Sequence, residues 1–251
     1  PVNSPIPTGS PTTAFTPTQT ATIEPTITPS PTPTPLPLNG QQTRYTIEAT
    51  IDYYNRFINV TSRAVYTNKI GKPIEELVFI IYPTIFQNAI YVKSMRWGDG
   101  SPINNFRWES HRMVIPLETP LSPGDQIEVQ HDFELYMPNR EGTFGQTGKQ
   151  LNLAYWFPYV PPIDRDGNWL YNEISLVNSQ IVGEHLVFEA ADFKVTLQFT
   201  DRRENMKIAA PALPAEEDGI IDYELTLART FTVSISDIFT TTEREVNGIT
   251  I

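Results

Sequence analysis

Three histidines are the only imidazoles in the chain: His111 in ESHRM, His131 in VQHDF and His185 in GEHLV. Imidazole is the commonest protein metal ligand and the usual general base near neutrality. A hydrolytic zinc site on a helix needs two histidines four residues apart, with a glutamate after the first, as in HExxH. None of the three has that partner, and there is no cysteine to supply a thiolate. No zinc cage assembles from these spacings.

The carboxylates are no more promising. DRDGN (164–168) has the first acidic positions of a calcium loop, but Ser175 stands where a bidentate Glu is required. It reads as an exposed turn. Glu216, Glu217 and Asp218 lie together before Gly219, but acid–base work needs carboxyls in different, partly buried surroundings. An acidic run before glycine reads as a solvated turn. The NVT sequon at Asn59 falls in a predicted strand. GxSxG, P-loop and dinucleotide fingerprints are all absent.

The heaviest aromatic load lies in YWFPYVPPIDRDGNW (155–169), with five aromatics and three prolines. It reads either as a ligand-facing shelf or as a structural seam. The structural reading is preferred: Trp156, Phe157 and Trp169 fill the space between two sheets, while Pro158, Pro161 and Pro162 end strand pairing. Burial of each such ring contributes roughly 1.5–3 kcal/mol. Tyr155 or Tyr159 could instead face a neighbouring domain.

Elements able to hold these residues follow from hydrophobic periodicity. In RYTIEATID, Tyr45, Ile47, Ala49 and Ile51 alternate with polar residues, the period of a half-buried strand. FINVTSRAVYTN repeats the habit. Further strands are expected over 76–82, 90–97, 112–117, 126–137, 185–199, 221–228 and 229–237, separated by NKIGKP, WGDGSP, LSPGDQ, DRRENM and EEDG. No long stretch combines helical spacing with caps. The expected fold is all-β, an antiparallel β-sandwich over residues 41–251.

Residues 1–40 differ: they are Thr/Pro-rich, with Glu24 as their one charge. Such a tract builds no core and favours extended polyproline II. It reads as a stalk or tether, O-glycosylated on Thr, or as a disordered linker. The chain begins at Pro1, so either a leader has been removed or this is part of a longer protein. The expected location is extracellular or tethered at the cell surface. A net charge of −11 argues against nucleic acid or an anionic membrane as partner. The longest apolar run, LVFIIYP, is far too short for a spanning helix.

The strand segments, taken in order, resemble the N-terminal β domain of the M1 family of zinc metallo-aminopeptidases. They are YTIEATIDYYNRFINVTSRAVYTNKIGKPIEELVFIIYPTIF, PLETPLSPGDQIEVQHDFELYMP, LNLAYWFPYVPPIDRDGNW, GEHLVFEAADFKVTLQF and TFTVSISDIFTTTEREVNGITI. The resemblance covers residues 43–251 and implies a saddle-like β domain. That domain packs on a catalytic domain and narrows its substrate cleft. It also implies that a Gln or Glu just upstream of the Trp-Phe-Pro segment reaches the substrate, with Gln146 and Gln150 the nearest candidates and Tyr155 beside them. The family's zinc ligands are missing, so zinc is expected only in a separate catalytic domain. The Arg, Cys and Asp-Glu-Pro of the corresponding loop in higher-animal members are missing too; AYWFPYVPPID stands there.

The expected function is therefore that of a non-catalytic β domain of an exported aminopeptidase, with no cofactor in this chain. The alternative is a structural subunit of an extracellular filament or surface layer, its Thr/Pro arm lying along neighbouring copies and carrying glycans.

Overall fold

The computed structural model describes residues 41–171, 187–246 and 248–250. All of them fall within the compact unit Leu38–Ile251. The Thr/Pro-rich tract and His185 lie outside the described residues.

Strands dominate. In order they are β1 (Thr43–Asp52), β2 (Phe57–Thr67), β3 (Ile74–Ile80), β4 (Ile90–Trp97), β5 (Arg107–Glu109), β6 (Arg112–Leu121), β7 (Gln126–Tyr136) and β8 (Phe144–Gln146). Then come β9 (Gln150–Leu153), β10 (Ala191–Phe199), β11 (Lys207–Ala209), β12 (Ala215–Glu217), β13 (Ile220–Ala228), β14 (Val233–Ser236), β15 (Glu245–Val246) and β16 (Ile249–Thr250). The described residues form one helical element, a 3-10 turn at Tyr82–Ile85 opened by Pro83, and none of them belongs to a helix long and apolar enough to cross a membrane.

A seven-stranded sheet in the order β12-β13-β10-β1-β2-β7-β4 forms one layer. A three-stranded sheet, β3-β6-β5, and a four-stranded sheet, β11-β14-β9-β8, complete the all-β sandwich, with β15-β16 as a separate ribbon. The predicted alternation is present: β1 buries Tyr45, Ile47, Ala49 and Ile51 on one face and turns Arg44 and Glu48 to solvent. Asp218 and Gly219, at φ 49° and 79°, make the tight reversal from β12 to β13, a conformation that suits an Asp-Gly pair.

One pairing departs from the antiparallel expectation. β1 and β10 run parallel, with Tyr45 opposite Phe193, Ile47 opposite Val195 and Ala49 opposite Leu197. The reason is connectivity: parallel neighbours need a long crossover, and more than a hundred residues separate these two strands. Turn chemistry near either strand carries no trace of it. Asp201, just beyond β10, ties the reversal after β1 down by accepting the backbone N–H of Tyr53 at 2.9 Å and of Tyr54 at 2.7 Å.

Both edges of the large sheet are guarded. β12 has three residues, all exposed, two of them glutamates. β4 breaks register between Val92 and Ser94, placing Lys93 in a bulge. Beyond that bulge residues 101–103 fold over the edge: Trp97 N–H donates to the Ser101 carbonyl at 2.9 Å and Ile103 N–H to the Met95 carbonyl at 2.9 Å.

The core contains an imidazole. His131, on the inner face of β7 beside Val129 and Phe133, is fully buried and meets the ring of Phe79 edge-on at 4.5 Å. Neither ring nitrogen has a hydrogen-bond partner among the described residues. Burial pushes its pKa down to about 3, opposed only weakly by the charge of Asp132. The unfolded chain takes up this proton near pH 6.5 and the native one near pH 3. The stability tied to a neutral His131 is therefore complete above pH 6.5 and is lost as pH falls toward 3.

Replacing His131 by Leu should shrink the drop in unfolding free energy between pH 7 and pH 4 by about 3 kcal/mol, a double difference readable from urea titrations; an unchanged drop would show that the ring is solvated. Trp156→Ala should cost about 3–5 kcal/mol in the same assay, and a loss below about 1 kcal/mol would place the indole outside the packed interior.

Candidate functional site

The residues that sequence reasoning nominated do not converge. Gln146 ends β8 and Gln150 begins β9, the two strands of one hairpin. Gln146 lies opposite Leu151, so it shares that residue's face of the sheet. Gln150 pairs with Ser236 and lies on the other face, with Asn152 and Ser234. Each amide is also engaged locally. The Gln146 side-chain carbonyl accepts the N–H of Gly148 at 2.7 Å. Gln150 donates its amide to Asn152 Oδ1 at 2.8 Å. The hairpin is built tightly: a Cβ on Gly145 would stand 2.5 Å from the carbonyl oxygen of Arg140.

Tyr155 is half-buried, with a positive φ of 56°. Its ring stacks on Phe188 at 5.4 Å and meets Tyr82 at 5.2 Å. It belongs to an aromatic cluster that includes Phe86 and Phe144, capped by the Arg140 guanidinium over Phe86 at 4.6 Å.

From Trp156 to Val160 every residue is buried, Pro158 included. Trp156 donates its indole N–H to the Phe231 carbonyl at 3.0 Å. Phe157 sits against Trp156, Tyr45 and Phe193. Tyr159 forms an antiparallel bridge with Ile80, exchanging both backbone hydrogen bonds at 2.8 and 3.1 Å. The Val160 N–H donates to the hydroxyl oxygen of Tyr45 at 2.9 Å. Burial raises the pKa of that phenol far above its ordinary value, so it serves as a neutral hydrogen-bonding group. Trp169 is set apart: it is half-buried and packs on Tyr66 at 5.8 Å.

The other nominated groups are structural in their surroundings. Asp164 accepts the backbone and side-chain N–H groups of Asn168 at 2.8 and 3.0 Å, and these bonds lower its pKa. Lys72 caps the same turn by donating to the Asp166 carbonyl. Glu216 is held by Arg202 at 2.6 Å. The sequon Asn59 sits mid-strand, and the hydroxyl of its Thr61 is bonded to Asp132 at 2.9 Å, a poor presentation for a glycosylation acceptor.

Among the described residues the donor set does not fit zinc. His131 lies in the core, His111 is buried in the turn between β5 and β6, and among the described residues no three His, Cys, Asp or Glu side chains come together as a cage.

What sequence reasoning missed is on the opposite surface. The outer face of the seven-stranded sheet holds an open groove of about 610 Å³. Its lining includes Glu48, Thr50, Asn59, Thr61, Asp132 and Gln198. Asp132 is fixed there by hydrogen bonds from Thr61, Ser94 (2.6 Å) and Gln130 (3.1 Å), which hold its carboxyl below the usual range against the effect of burial. The available signal was the recurrence of Thr, Asn, Gln and Ser among the charged residues at outward positions of consecutive strands.

No family model matches the chain, and no curated protein does. Among solved structures it is similar to an M1 zinc metallopeptidase from Deinococcus radiodurans, with a TM-score of 0.47 and 11% identity over 84% of this chain and 46% of that one. A variant of the Deinococcus radiodurans enzyme bound to a Tyr-Ser-Ala substrate matches with a TM-score of 0.47 and 12% identity, over the same shares. A two-domain M1 variant bound to L-tryptophan matches at 0.47 and 12%, over 84% and 47%. The chain thus spans under half the length of these structures, which belong to the family that its ordered segments resemble.

Proposed function

We infer that this chain is a non-catalytic β domain of an exported M1-like aminopeptidase, packing beside a catalytic domain and shaping its substrate cleft. The observation that carries this reading is where the reactive residue types lie. Both described imidazoles are buried, and the Trp-Phe-Pro segment is committed to the interior from Trp156 to Val160. Acid–base or nucleophilic catalysis needs such groups at one open cavity, within reach of each other. The ordered resemblance of the segments supplies the family. Zinc and its ligands belong, in this reading, to the catalytic domain, with Gln146 and Gln150 the hairpin residues nearest the cleft.

The filament alternative is tested by light scattering: a monomer supports the domain reading and a polymer the structural subunit. For the domain reading itself, purified chain supplied with zinc is expected to leave a fluorogenic aminoacyl substrate intact at every concentration tried. Turnover that survives removal of contaminating peptidases and vanishes with a chelator would sink it.

A further inference from the structure

We propose that the outer face of the seven-stranded sheet is a binding groove for a neutral, unbranched oligosaccharide. Strand registers line up one row of side chains on this face: Tyr91, Glu134, Asn59, Thr50, Gln198 and Ile220. Six strands at ~4.8 Å spacing make this row about 24 Å long, the reach of a short oligosaccharide and not of a single sugar. The adjacent row carries hydroxyls against carboxylates. Thr61 and Ser94 donate to Asp132, and Thr196 donates to Asp222 at 2.5 Å.

The chemistry of the groove suits sugars. A pyranose offers many hydroxyls, each both donor and acceptor, and two faces of C–H bonds. Planar amides and carboxylates pair with the hydroxyls, and exposed aromatic rings take the apolar faces. Glu48, Thr50 and Gln198 make no side-chain hydrogen bond to another described residue, so their polar atoms are open to a ligand. Tyr91 stands 62% exposed at the end of the row. Next to it Tyr136 is held in place by its hydroxyl on Glu134 (3.0 Å) and by its ring on Phe57 (5.1 Å).

Other occupants fit less well. The centre of a protein interface is apolar and poor in charge, whereas between Tyr91 and Ile220 these two rows are wholly polar. A sulfated or phosphorylated ligand would meet the carboxylates of Glu48, Asp132, Glu134 and Asp222, while the cations beside them, Arg96 and Lys93, already pair with Asp132 and Glu134.

The test is calorimetric titration of the whole chain with cellohexaose, xylohexaose and chitohexaose. Saturable binding of at least one is expected, weakened roughly tenfold or more (about 1.4 kcal/mol) by Tyr91→Ala and by Gln198→Ala. Both positions are exposed, so the unfolding midpoint should not move. As a readout that needs no variant, amide resonances shifted by the sugar should map to β1, β2, β4, β7 and β10. No binding of any of the three sugars, binding indifferent to both substitutions, or shifts confined to the other sheets would each overturn the proposal. A negative result here leaves the aminopeptidase-domain reading standing, because nothing in the groove contributes to it.

Discussion

An irregular segment buried between sheets must find a hydrogen-bond partner for each of its backbone polar groups, because none is left to water. That constraint organises this domain. Residues 156–160 cannot join a regular ladder, with Pro158 lacking a donor, so they draw on side chains and on one bridge. Tyr45 from β1 receives Val160, Ile80 from β3 exchanges bonds with Tyr159, and Trp156 reaches Phe231. One short stretch thus ties the large sheet, the three-stranded sheet and the approach to β14 together. The same requirement explains a phenol held neutral in the interior.

The histidines show how composition and function part company. An imidazole is a costly thing to bury, and His131 is buried against Phe79 with no hydrogen-bond partner for either ring nitrogen among the described residues. Its charge-neutral form behaves as an aromatic filler between β7 and β3. A residue type that looks like chemistry in one dimension is here packing in three. The polar groups open to solvent lie instead on the far side of the sheet, arranged by strand register.

Much of the fold was legible because its long strands alternate. β1, β2, β4, β7, β10 and β13 all carry period-two patterns, and Ile90–Trp97 was predicted to the residue. Strands of three or four residues such as β5, β8 and β11 escaped, since RWE, FGQ and KIA are too short for any period to register. The strand expected over 229–237 contracts to Val233–Ser236. The 3-10 turn at Tyr82–Ile85 cut short the strand expected through residue 82. Pairing was invisible wherever partners lie far apart, as in the parallel match of β1 with β10. For the same reason Gln146 and Gln150, close in sequence, could not be assigned to opposite faces, and a groove assembled from six strands could not be foreseen from any one of them.

The guarded rims of the large sheet have a consequence for life at high concentration. A bare strand invites a stranger's backbone, and crowding at a surface would multiply such encounters. With Lys93 pushed out of line, residues 101–103 laid over one border and a stub of glutamates at the other, neither border offers a template. Copies brought close together would therefore not join strand to strand through this sheet, and any contact along its rims would have to be made by side chains.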